Sequence, residues 1–187
     1  MKKGNLFVIS GPSGVGKDTI ISKYLSENEG MLSVSATTRS PRNGEVDGKN
    51  YYFLSKEEFE NWIKEDNFLE YATYNDKYYG TPKSKVLETL DKGIDVFLVI
   101  EVQGGLIIKE KVPESILIFL LPPSMEELEE RIRVRNLDSE EMIQNRLKIA
   151  TEEIKVSEKY DYVITNVKVD STVEKLKMII SDIKSKN

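Results

Sequence analysis

Gly11, Gly16 and Lys17 stand in the order Gly-x-x-x-x-Gly-Lys, within the run Gly11-Pro12-Ser13-Gly14-Val15-Gly16-Lys17-Asp18-Thr19. Glycines at this spacing let a loop turn tightly enough for successive backbone N–H groups to face one point and cradle a phosphate. The lysine adds a mobile charge for the outer phosphates of a nucleoside triphosphate. Apolar residues Leu6–Ile9 precede the loop, and Ile20, Ile21, Tyr24 and Leu25 follow it at helical spacing, which is the strand–loop–helix setting such a loop needs. The helix that follows also turns its positive dipole end toward the same point. The position after the lysine, where a hydroxyl usually meets Mg²⁺, holds Asp18, and the first hydroxyl is Thr19. An acid aimed at a triphosphate would repel it. Asp18 is therefore expected to turn outward as a first-turn helix charge, and Thr19 to be the hydroxyl near the metal.

A second group follows in Ser33-Val34-Ser35-Ala36-Thr37-Thr38-Arg39-Ser40-Pro41-Arg42. Arg39 and Arg42 lie three apart behind a run of hydroxyls, a pattern suited to forking onto one phosphate, with Tyr51 as a further hydroxyl donor. The chain carries a formal net charge of −5, so it has no general attraction for nucleic acid or an acidic membrane. Any anion site must be local. The absence of cysteine excludes disulfides, thiolate nucleophiles and cysteine-bound metal; the absence of histidine excludes Ser-His-Asp chemistry and imidazole metal sites. Whatever reaction occurs must run without the commonest general base.

The elements that position these residues alternate between strand and helix, which predicts an α/β domain with a mainly parallel sheet. Leu6–Ile9, Val96–Ile100, Ile116–Leu121 and Tyr162–Ile164 are near-continuous apolar runs, as strands covered on both faces require. Helices are predicted from Pro82 to Leu90, Ser124 to about Arg135, Asp138 to about Lys159 and Asp170 to Lys184. Ser124 with Glu127 and Asp138 with Glu141 serve as the start signals of two of them. Residues 35–81 interrupt this rhythm with aromatic and polar residues around one helix near Ser55–Glu65, and are expected to form a substrate-binding insertion. Residues 126–148, with Arg131, Arg133, Arg135 and Arg146, are expected to form a mobile lid. The core then comprises 1–34, 82–125 and 149–187, all one domain. Two N-terminal lysines precede an apolar run broken by Ser10 and Gly11, too short for a signal peptide or a membrane span, so a cytoplasmic protein is expected.

Taken in order, the phosphate loop, Ser35-Ala36-Thr37-Thr38-Arg39-Ser40-Pro41-Arg42, Gly44-Glu45-Val46-Asp47-Gly48 before Tyr51-Tyr52-Phe53, Phe68-Leu69-Glu70-Tyr71, Tyr78-Tyr79-Gly80-Thr81 and Val102-Gln103-Gly104 resemble the guanylate kinase family. The likeness continues through Leu121-Pro122-Pro123-Ser124 and Tyr160-Asp161-Tyr162-Val163-Ile164, and so covers nearly the whole chain. It implies a P-loop three-layer fold, the substrates ATP and GMP, and Mg²⁺ carried in with ATP. It implies GMP contacts at Ser35, Arg39, Arg42, Tyr51, Glu70, Tyr79 and Thr81, and lid arginines at Arg135 and Arg146 that embrace the triphosphate. Chemistry agrees for Glu70, whose carboxylate can accept from both guanine N1–H and the 2-amino group, while hydroxyls at Ser35 and Thr81 complete the edge.

The chain departs from the family pattern in two further places. Asn136-Leu137 stands where the family usually has Gly-Thr, and Val99 stands where the strand before Gln103 usually carries the first of two acids, leaving only Glu101. Lys17, Arg42, Arg135 and Arg146 are the expected catalytic charges. Two other readings stay open. One is an interaction module that keeps the fold but binds protein, which loss of the loop glycines or lysine would favour. The other is a kinase for a different phosphorylated substrate such as a ribose bisphosphate, which Glu70 and Tyr79-Gly80-Thr81 argue against.

Overall fold

Leu6-Phe7-Val8-Ile9-Ser10 is buried at every position as strand β1 (Leu6–Ser10), because helices cover both of its faces. Strand alternation sends Phe7 and Ile9 to one side and Leu6 and Val8 to the other, and each pair joins a separate apolar cluster. The computed structural model describes residues 2–74, 76–134 and 139–186. After β1 come α1 (Lys17–Glu27), β2 (Met31–Leu32), β3 (Ala36–Thr37), β4 (Tyr52–Phe53), α2 (Lys56–Lys64), β5 (Phe68–Tyr74), β6 (Lys77–Pro82) and α3 (Lys83–Asp91). The second half contributes β7 (Val96–Val99), α4 (Val102–Lys111), β8 (Ile116–Leu121), α5 (Met125–Val134), α6 (Glu140–Lys155), β9 (Tyr162–Thr165) and α7 (Val169–Lys186).

Five strands pair in the order β2-β7-β1-β8-β9, each pairing parallel. The chain order reverses at β1, whose two neighbours are both later strands, so the loop leaving β1 opens into the crevice where such sheets take ligands. Ile20, Ile21 and Tyr24 of α1 and Val173, Leu176 and Ile180 of α7 cover one face. Val86 of α3 and Val102 and Ile108 of α4 cover the other. This is the three-layer α/β architecture that the apolar runs predict.

A smaller mixed sheet in the order β4-β3-β6-β5 carries the insertion. Its core is aromatic: Phe59, fully buried, stacks on Phe68 with ring centroids 4.3 Å apart and on Tyr78 at 5.1 Å. Helix α2 starts on a capping box in which Ser55 accepts from the Glu58 amide and Glu58 accepts from the Ser55 amide. Helices α5 and α6 share a third cluster of Leu128, Ile132, Ile143 and Ala150.

Some boundaries differ from expectation. The hydroxyl of Ser139, not Asp138, caps α6 by accepting from the Met142 amide. Asp138 itself, with Arg135, Asn136 and Leu137, lies outside the described residues. Helix α6 ends at Lys155, and a 3₁₀ turn over Val156–Lys159 takes up the last residues of the segment expected to be helical to about Lys159. Helix α4 has no counterpart among the predicted helices. Gly104 and Gly105 lower its local propensity, and burial of Val102 and Ile108 supplies what propensity lacks.

Candidate active site

Gly11 and Gly16 both have positive φ, 149° and 98°, conformations that a side chain would strain. A Cβ on Gly11 would also lie 2.4 Å from the Leu120 carbonyl oxygen, so the loop is pressed against β8. Within it the Lys17 ammonium donates to the carbonyls of Gly11 at 2.6 Å and Pro12 at 3.2 Å, and so arches over the loop. Asp18 is exposed in the first turn of α1, as a tolerated helix charge should be. Its charge is nevertheless felt at Tyr51, across the crevice. Thr19, one residue on, lines a cavity of about 460 Å³ with Gly14, Gly16, Arg131, Asn166 and Val169.

Asn166 is buried, and its side chain is committed to the loop. Its Nδ2 donates to the Val15 carbonyl at 2.8 Å, and its Oδ1 accepts from Thr172 Oγ1 at 2.9 Å. Arg131 adds a bond to the Asn166 carbonyl at 3.1 Å. The phosphate loop is thus clamped from β9 and α5 as well as from its own strand. Arg146 reaches it from α6, with Nη2 donating to Ser13 Oγ at 2.6 Å.

A second cavity, of about 420 Å³, is lined by Ser35, Arg42, Tyr51, Glu70, Tyr79 and Glu101. Six of the sequence-predicted residues, drawn from segments up to 66 positions apart, therefore share one wall. Ser13 lines this cavity and its neighbour Gly14 lines the first, so the phosphate loop is the partition between them.

Glu70 owes its placement to an irregularity in β5. Phe68 pairs with Pro82 and Glu70 with Thr81, leaving Leu69 as an extra residue in the ladder. Three consecutive side chains consequently enter three environments: Phe68 the insertion core, Leu69 the main core and Glu70 the second cavity. Glu70 is 5% exposed, and its Oε1 accepts from Thr81 Oγ1 at 2.7 Å. Burial pushes its carboxyl above the usual carboxylate range, while the Thr81 hydroxyl opposes the shift.

Arg39 is held differently from expectation. Its two terminal nitrogens pair with the Glu45 carboxylate at 2.9 and 2.8 Å, and its guanidinium lies 5.3 Å from the Tyr51 ring centroid. Glu45 also accepts from the Arg42 amide at 2.7 Å. Glu45 therefore organises both arginines, and the Arg39 fork is engaged by a carboxylate. Sequence reading assigned it no role, although an acid three residues after Arg42 was a readable signal.

Glu153 is the other residue that sequence reading passed over. It lies seven positions after Arg146 on α6, two turns along the same face. Burial and then the charge of Glu101 push its carboxyl up to about 7, against a smaller opposing pull from Lys17. Glu153 thus feels the charge of Glu101 from a helix rather than from β7, where Val99 is apolar. No pattern within the helix distinguishes it from its neighbour Glu152, which is exposed.

A glycine-rich loop at the switch point of a parallel sheet, partitioning two cavities under a helical arm with an arginine on the loop, defines a P-loop phosphotransferase that brings two phosphorylated substrates together. The family model described as guanylate kinase matches residues 3–183. The guanylate kinase of Clostridium tetani is 56% identical over 181 residues, which are 97% of this chain and 87% of that protein. The guanylate kinase of Clostridioides difficile is 53% identical over 187 residues, covering 100% of this chain and 91% of the relative. Among solved structures, guanylate kinase from Anaplasma phagocytophilum aligns with a TM-score of 0.79 at 34% identity, covering 97% of this chain and 87% of its own. This chain belongs to the guanylate kinase family, the ATP:GMP phosphotransferases.

Proposed function

We propose that the chain transfers the γ-phosphoryl group of ATP to GMP, and also to dGMP, giving ADP and the nucleoside diphosphate. The observation that carries this reading is the shared partition: Gly14 faces the first cavity and Ser13 the second, which a buried carboxylate at Glu70 also lines. ATP then occupies the cavity bounded by Gly14, Gly16 and Thr19, with its phosphates on the backbone of residues 11–19. GMP occupies the cavity bounded by Ser35, Tyr51 and Glu70.

The attacking atom is an oxygen of the GMP phosphate, already anionic at neutral pH, so an in-line transfer needs no general base. That suits a chain without histidine. Arg42, Tyr51 and Arg39 hold the acceptor phosphate, Arg39 in concert with Glu45. Lys17, Arg42, Arg135 and Arg146 neutralise charge that develops on the transferring group. Ser35, Glu70 and Thr81 read the guanine edge, and Tyr79 and Glu101 complete the walls.

The available donors fit Mg²⁺. Thr19 offers a hard oxygen beside the phosphate loop, as suits a metal that keeps waters and substrate phosphates as its other ligands. Thr19 would hold Mg²⁺ arriving with ATP, and the ion would supply positive charge against the triphosphate. Residues 126–148 act as the lid and 35–81 as the GMP-binding insertion, closing on the core formed by 1–34, 82–125 and 149–187 so that water does not intercept the phosphoryl group. Among the described residues no helix is long and apolar enough to cross a membrane, and we place the reaction in the cytoplasm, independent of nucleic acid and membrane.

A coupled assay with ATP against GMP, dGMP, AMP and UMP tests the assignment, with Lys17→Ala as its control. GMP and dGMP are expected to turn over and AMP and UMP to fail, and the folded Lys17→Ala protein to be inactive. Turnover of AMP or UMP at the GMP rate, or near-normal activity of the lysine variant, would overturn it.

A further inference from the structure

Helix α4 carries a glycine that its backbone does not require. Gly104 is the third residue of the helix, is buried, and is absent from the residues with positive φ. A glycine in that setting weakens a helix relative to alanine, because it surrenders more conformational freedom on folding. Something other than local conformation must account for it.

The space that the missing side chain leaves belongs to Glu70. A Cβ at residue 104 would lie 2.9 Å from Glu70 Oε2 and 3.3 Å from Glu70 Cδ, with Ile100 Cδ1 also at 3.3 Å. The other carboxylate oxygen, Oε1, accepts from Thr81 at 2.7 Å. The carboxylate is therefore gripped between a hydroxyl on β6 and the bare Cα of α4. A methyl group on that Cα would displace the oxygen that Thr81 does not hold. Its neighbour Gly105 faces different atoms: a Cβ there would lie 2.5 Å from Tyr160 Oη and 3.0 Å from Ser10 Oγ, both in the interior of the fold.

We infer that Gly104 is a specificity-determining positioning residue, whose lack of a side chain sets where the Glu70 carboxylate meets the purine edge of the acceptor nucleotide. This inference rests on Glu70 reading guanine, as proposed above. A shift of about 1 Å in a positioning group can cost on the order of 10²-fold in rate. The substitution Gly104→Ala acts on function and fold in opposite directions. It gains helix propensity while dislodging the carboxylate.

Four proteins test it: Gly104→Ala, Gly105→Ala, Glu70→Asp and the double variant Gly104→Ala/Glu70→Asp. For Gly104→Ala, kcat/KM for GMP is expected to fall by on the order of 10²-fold. KM for ATP should hold, and the thermal midpoint should stay level or rise. Gly105→Ala should instead lower the midpoint. Because Glu70→Asp withdraws the carboxylate by one methylene, the added methyl should cost less in that background, so the two substitutions combine non-additively. Unchanged GMP efficiency in Gly104→Ala, additive losses in the double variant, or a midpoint depressed as far as that of Gly105→Ala would each overturn the inference. Glu70→Asp separates the two levels. If it keeps full GMP selectivity, the reading of Glu70 fails; if it loses selectivity while Gly104→Ala does not, only the role of Gly104 fails.

Discussion

A carboxylate that is 5% exposed and bonded to one hydroxyl has lone pairs left to satisfy, and a guanine edge supplies two adjacent donors for them. Adenine presents an unprotonated N1 there, setting acceptor against acceptor. Glu70→Gln keeps the size but turns one oxygen into a donor. We expect kcat/KM for GMP to fall by on the order of 10⁴-fold, with ATP affinity hardly changed because the cavity proposed for ATP is on the other side of the phosphate loop from Glu70. Steady-state kinetics with GMP and AMP measure this, and a variant that still prefers GMP at near wild-type efficiency refutes it. The loop itself offers a second residue-scale comparison. Asp18 is exposed and Thr19 lines the cavity beside Gly14 and Gly16. Asp18→Ser should therefore keep or raise ATP affinity, while Thr19→Ala lowers Mg²⁺-dependent turnover. The reverse ranking would reassign the metal-facing hydroxyl.

At the scale of elements, α6 does more than carry an arginine. Arg146 touches the phosphate loop, Ala150 packs against α5, and Glu153 lies within the electrostatic reach of Glu101 and Lys17. One helix face thus spans the α5–α6 cluster and the phosphate loop. Burial and Glu101 raise Glu153 from its ordinary 4.5 to about 7. Between those values the unfolded chain has released the proton and the folded chain retains it, so folding is progressively disfavoured as pH rises through that window. Glu153→Gln removes the titration. It should stabilise the protein above pH 7 and have little effect near pH 4.5, as read from thermal midpoints at the two extremes. An equal shift at both would show that packing, not ionisation, governs Glu153. The arm itself is braced outside the site by Arg133, which joins Glu129 of α5 to Glu140 at the start of α6.

For the whole molecule, four apolar clusters fall into three groups: two in the α/β core, one on either face of its sheet, the aromatic insertion core around Phe59, and the α5–α6 cluster around Leu128 and Ile143. The insertion and α5–α6 clusters are each packed internally, and Leu69 of β5 ties the insertion to the main core. Occupation of both cavities should draw these groups together, because phosphates at the partition attract arginines from the insertion and the lid at once. The radius of gyration from small-angle scattering is expected to decrease with GMP plus a non-hydrolysable ATP analogue, and by less with either alone. No contraction with both present would argue against closure.

The phosphate loop, the parallel sheet and the family were legible in the sequence, and so were six of the residues that line the second cavity. Those signals are local: glycine spacing, apolar runs of strand length, and motifs whose order survives without coordinates. Arg39 and Tyr51 were readable as site residues in this way, and so was Glu70. Tertiary structure alone decided what each of them faces. The extra residue at Leu69 turns Glu70 into the cavity, which a simple two-residue alternation cannot anticipate. Glu45 claims the Arg39 fork, and Asn166 spends its amide on the loop. Glu153 feels the charge of Glu101 from 52 residues away, and Gly104 makes room for a carboxylate 34 positions earlier. Distance along the chain carries no information about such meetings, because burial, charge and steric room are properties of the packed neighbourhood and come into being only when the elements dock.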